Sequence, residues 1–117
     1  MDLGAWLVTV REMVHEAQKE MLGDLQPERA AQLLAKMTAL IGNCNAQIRE
    51  ADAQYAQVLL GCLNSEAKAN RARIVSETTP EFLRRCEARD TKELVTEMVR
   101  SLKYILRAAE EEMRLAR

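Results

Sequence analysis

Residues 34–62 read LAKMTALIGNCNAQIREADAQYAQVLLGC, and the fold turns on where Leu34, Met37, Ile41, Cys44, Ile48, Ala51, Tyr55, Val58 and Cys62 fall within them. The intervals alternate three and four without interruption, so these side chains share one face of a helix. Held over about four heptads, the pattern keeps one seam turned toward a partner helix and predicts a left-handed supercoil. Asn43, Asn45, Gln47, Arg49, Glu50, Asp52 and Gln54 fall off the seam, as a solvated face requires.

Toward the N-terminus, Leu3, Leu7, Val10, Val14, Ala17 and Met21 repeat the same spacing and predict a first helix over 3–22. Gly23 stands where a helix end favours a positive-φ residue, and Pro27 fits the first turn of the next helix, where no amide hydrogen is needed. Toward the C-terminus the seam thins to Ser65, Ala69, Ala72 and Ser76, while Glu66 to Arg73 stay helix-compatible, so the second helix is expected to run over 27–76. Thr78, Thr79 and Pro80 form a helix-start signal, and the chain is expected to reverse there into a helix over 80–116. Its seam is Ala88, Val95, Met98, Leu102, Ile105 and Ala109, widened by Leu94, Val99, Leu106 and Met113, with Asp90 a possible point of kinking.

These elements predict an all-α fold, a single unit over 1–117. It is a long antiparallel hairpin of coiled-coil type with an additional N-terminal helix. Two helices alone leave the wide face of the last one uncovered, so the hairpin is expected to dimerise into a helical bundle. Seam residues Leu34 to Cys62, with Val95, Met98, Leu102 and Ile105, are then the self-association surface. The composition agrees, because only Trp6, Tyr55, Phe82 and Tyr104 are aromatic and the core must come from narrow aliphatic stripes.

Net charge is −1 over 117 residues, which by itself excludes a strongly basic nucleic-acid module. Cys44, Cys62 and Cys86 form no C-x-x-C pair, and an odd number of cysteines suits a reducing compartment. No basic start precedes an apolar run and no stretch is long and apolar enough to span a bilayer, so a cytoplasmic protein without a membrane partner is expected.

Catalytic constellations are sparse. Glu12 and His15 have the Glu-x-x-His spacing used in di-iron bundles, but the second motif and the further carboxylates are missing, so His15 reads as structural and no metal or other cofactor is expected. Cys44 and Cys62 lie on the seam and act as small hydrophobes. Cys86 follows Arg84 and Arg85, where positive charge can lower a thiol pKa, although an inert thiol beside solvated arginines is the simpler reading. With no glycine-rich phosphate loop or zinc spacing either, an enzyme is not expected.

Charge placement is uneven. Residues 1–67 carry five basic and nine acidic side chains, whereas 68–107 carry ten basic and six acidic. A reversal near Thr78 would gather Arg71, Arg73, Arg84 and Arg85 at one end, a possible phosphate contact, with Glu77, Glu81 and Glu87 interleaved as ordinary surface partners. Arg114 and Arg117 complement the dipole at the last helix end.

The segment Glu93-Leu94-Val95-Thr96-Glu97-Met98-Val99-Arg100-Ser101-Leu102-Lys103-Tyr104-Ile105-Leu106 before an acidic tail resembles small phage and prophage coiled-coil proteins, a likeness spanning roughly 30–117. That resemblance implies a phage-derived origin and a role accessory to DNA recombination or replication, and carries over no site residue. The functional expectation is a non-enzymatic, self-associating scaffold or adaptor. The alternative is a nucleic-acid-binding accessory protein using Arg71, Arg73, Arg84 and Arg85.

Overall fold

Asp2 opens the first helix, its Oδ1 accepting a hydrogen bond from the Ala5 amide at 2.8 Å. A computed structural model describes residues 2–116, and Arg117 lies outside them. Four helices follow in order: α1 (Leu3–Leu22), α2 (Pro27–Ser65), α3 (Ala69–Ser76) and α4 (Pro80–Leu115), with no strand among the described residues. The fold is therefore all-α, as the periodicity demands.

The two long helices form the antiparallel hairpin. Asp52 in α2 meets Arg85 and Arg89 near the start of α4, while Pro27 lies in a groove with Ala109 and Met113 near its end. At about 1.5 Å per residue the 39-residue α2 spans roughly 58 Å, most of the 72 Å long axis of the molecule. Met37, Cys44, Ala51, Val95 and Leu102 are at most 1% exposed, so the seam closes within a single chain. Leu34, Ile41, Ile48, Val58, Cys62 and Ile105 flank it half-buried.

The wide face of α4 is covered by α1. Gln18, Met21 and Leu22 line a groove with Met98 and Ser101, and Arg11 Nε donates to Thr91 Oγ1 at 3.3 Å, so α1 runs in the same direction as α4. Its stripe of Leu3, Leu7, Val10, Val14 and Ala17 is buried as expected, joined by Trp6. The third helix of the bundle thus comes from the same chain. On α2, Ala30, Leu33 and Leu40 are buried too, Leu33 and Leu40 one position away from Leu34 and Ile41, and Leu33 lines a groove shared with Met13 and Ala17 of α1.

Several expectations are corrected. The helix expected over 27–76 breaks at residues 66–68, where Glu66 (φ −102°, ψ 141°) and Lys68 (φ −123°, ψ 133°) are extended. The chain reverses there, not near Thr78: α3 returns along α2 so that Ser76 reaches Tyr55, and α4 continues from it down α2. Gly23 has φ −95° rather than a left-handed conformation, and its amide donates to the Glu20 carbonyl. Asp90 does not split α4, which runs unbroken from Pro80 to Leu115. Leu94 and Met113 are exposed rather than part of the widened seam, whereas Thr91 is fully buried, filling the heptad step between Ala88 and Val95. Its hydroxyl is satisfied by donating to the Glu87 carbonyl at 2.7 Å.

Candidate functional site at the bundle tip

The break in α2 builds the most differentiated region of the surface. Tyr55 is its centre. The phenol oxygen lies 3.0 Å from Ser76 Oγ, the ring meets Phe82 at 5.4 Å between centroids, and the Arg85 guanidinium sits 5.0 Å over its face. Ser76 is fully buried and bonds the Arg73 carbonyl at 2.7 Å, so α3 is fastened to α2 by a satisfied polar pair inside an apolar contact. Thr79 Oγ1 then caps α4, accepting from the Phe82 amide at 3.4 Å.

Asp52 completes the anchorage. Its carboxylate accepts from Arg85 Nε at 2.9 Å and from Arg89 at 3.2 Å, crossing from α2 to α4. The sequence places Asp52 on a solvated face, and in the fold it is half-buried. No local pattern reveals that role, because its partners lie 33 and 37 residues away.

The four arginines proposed as phosphate contacts are not equivalent. Arg85 is the least exposed and is tied to Asp52 and Tyr55, while Arg71 pairs with Glu66 at 3.5 Å. Arg73 and Arg84 are exposed and make no ion pair among the described residues. Tip residues Leu60 and Leu63 of α2, Ile74 and Val75 of α3, and Leu83 of α4 are between 38 and 65% exposed. These five aliphatic side chains, like exposed Arg73 and Arg84, lie on the three segments that meet around the chain reversal.

Elsewhere the chemistry is plain. Among the described residues no three His, Cys, Asp or Glu side chains gather to hold a metal ion, and Glu12 and His15 both face solvent. A groove of about 610 Å³ between α2 and α4 is floored by Ile48 and rimmed by Arg89, Lys92, Glu97 and Arg100, with Arg89 paired to Asp52 and Arg100 to Glu97. At the opposite end, Glu20 and Arg29 pair at 2.7 Å, which lowers the carboxyl pKa and raises that of the guanidinium.

Compared with protein-family models, with curated proteins and with solved structures, the chain matches none.

Burial raises the Cys44 thiol pKa, against a smaller lowering by the charge of Lys92. The folded chain holds this proton more tightly than the unfolded chain does. Its contribution to stability is complete below the ordinary thiol range and is lost as pH rises above it. Alkylation followed by mass spectrometry at pH 8 is expected to modify half-buried Cys62 and Cys86 first, and Cys44 at least about tenfold more slowly, until denaturant is added.

Proposed function

We propose that this chain is a non-enzymatic helical scaffold or adaptor that associates with a second copy of itself through the tip. The supporting observation is the group of Leu60, Leu63, Ile74, Val75 and Leu83, solvent-exposed although the hydrophobic seams have already been closed by α1, α2 and α4. Leu22, Tyr104, Met113 and Leu115 are exposed toward the opposite end, and the tip is favoured over them because its five aliphatic side chains come from three segments that converge at the chain reversal. A phage or prophage origin belongs to the same proposal and is supported by the likeness of residues 93–106 alone.

Sedimentation equilibrium over about 1 to 200 μM measures this directly, a range that brackets ordinary transient dimers. A dimer is expected, and Leu60→Glu with Leu63→Glu should raise its dissociation constant at least about tenfold without loss of helicity, since both positions are exposed. A purely monomeric protein throughout that range would end the reading.

Nucleic-acid binding is a second reading, favoured by Arg73 and Arg84. Fluorescence anisotropy with labelled DNA should then show binding that falls steeply with salt and is lost in Arg73→Glu/Arg84→Glu. Arg85 is unsuitable for that test because its removal undoes the Asp52 and Tyr55 contacts.

A further inference from the structure

The interruption between α2 and α3 is three residues long, Glu66-Ala67-Lys68, and contains neither glycine nor proline. These are good helix formers. The three-four spacing also runs through the break without a stutter, from Tyr55, Val58 and Cys62 to Ser65, Ala69, Ala72 and Ser76. Local sequence therefore encodes one helix from Pro27 to Ser76, and what holds the chain bent is the tertiary contact of α3 with α2: buried Ala72, buried Ser76 and the Tyr55–Ser76 hydrogen bond.

None of those contacts requires that both sides belong to the same chain. We infer that the self-association proposed above, on which this inference rests, proceeds by exchange of the α3–α4 segment. Residues 66–68 become helical, and α3 and α4 pack on the α2 of a second copy. Geometry allows this with two-fold symmetry. Because α3 and α4 both run antiparallel to α2, straightening the hinge carries them together away from their own α2 and along that of an oppositely directed copy.

The register is fixed by the pair seen in the structure. Starting from Tyr55 opposite Ser76, and stepping in opposite directions along two antiparallel helices, Leu59 falls opposite Ala72 and Cys62 opposite Ala69. The two-fold passes between Ser65 and Glu66. Each larger side chain meets a small one, so two straight helices can approach as closely as α2 and α3 do in the hairpin.

Every native contact of α3 and α4 with α2 is recovered between chains. The exchanged form adds three helical residues per chain and brings Leu60 and Leu63 of the two copies within about two turns of the two-fold axis. Opposing this is the entropy of association. The balance is set at the hinge, so dimerisation is concentration-dependent and sensitive to hinge substitutions that touch no other contact.

Ala69→Pro separates this mode from a surface contact. Residue 69 is the first of α3, a position that suits proline, and Lys68 before it already has the extended backbone that a pre-proline residue prefers. In the straight helix the same proline is interior and breaks it. Wild-type protein should dimerise, and Ala69→Pro should raise the dissociation constant by at least about a hundredfold while keeping its helicity. A dimer with unchanged affinity in Ala69→Pro overturns the exchange and leaves self-association standing; a wild-type monomer at every concentration overturns both.

Should Ala69→Pro fold poorly, a disulfide between facing positions decides. Leu59→Cys with Ala72→Cys, in a background with Cys62 and Cys86 changed to Ser, links one chain internally in the bent form and links two chains in the exchanged form. Interchain-linked dimers on a non-reducing gel of the dimer fraction support the exchange. Dimers made only of internally linked chains overturn it.

Discussion

Val95→Asp is expected to destabilise the protein by at least about 4 kcal/mol, a large share of the roughly 5–15 kcal/mol by which such domains are stable. Val95 is completely buried where α4 crosses the seam of α2, within the cluster that includes Cys44, Met98 and Leu102. A carboxylate there loses its water and meets no partner, so it either stays charged at high cost or takes up a proton. Thermal denaturation followed by circular dichroism should show the midpoint falling by roughly 15 °C or more, or no cooperative transition at all.

Ile48→Asp is the informative contrast. The heptad spacing places both residues on seams, but Ile48 is only half-buried and floors a groove rimmed by Arg89 and Lys92. A new carboxylate there keeps access to water and acquires cationic neighbours. Its effect should be well below that of Val95→Asp, and an equal loss of stability would mean that the groove is closed in solution.

The second large effect is expected at the tip. Tyr55→Ala removes at once the ring against Phe82, the face under Arg85 and the partner of Ser76, and should cost about 3–5 kcal/mol. Tyr55→Phe removes only the hydroxyl. Ser76 keeps its bond to the Arg73 carbonyl, so about 1 kcal/mol is expected. Hydrogen exchange locates the damage: in Tyr55→Ala the amides of α3 should lose protection before those around Cys44 and Val95. Uniform loss across the chain would show that the tip and the three-helix body unfold as one unit.

Much of the helical architecture is legible one residue at a time. The stripe of α1, the seam of α2 and the proline starts at Pro27 and Pro80 lie where the spacing places them, because helical period, capping and proline geometry are local properties. Burial of Leu33 and Leu40 is not legible in the seam spacing, because they stand one position off it and are covered only when the helices, α1 beside Leu33 among them, pack into one core. Thr91 escaped it because a polar residue in a seam position becomes acceptable only when its hydroxyl bonds its own helix backbone, as it does to Glu87.

At the candidate site the division is sharper. The uneven charge and the arginines were visible in the sequence, but their inequality was not: Arg85 is fixed by Asp52 and Tyr55, both over 29 residues distant, while Arg73 and Arg84 stay free of ion pairs among the described residues. Exposure of Leu60, Leu63, Ile74, Val75 and Leu83 is likewise a consequence of where the chain turns.

By itself the sequence determined that this chain is helical, where α1, α2 and α4 begin and which faces are apolar, because those properties depend on neighbours within a turn or two. Only the tertiary structure decided that the seam closes inside one chain, that α1 supplies the third helix and that the reversal falls at residues 66–68. The physical reason is that helix formers bend when contact elsewhere outweighs a few backbone hydrogen bonds. Burying Ala72 and Ser76 against Tyr55 is a gain between residues some twenty positions apart, and periodicity along the chain carries no information about it.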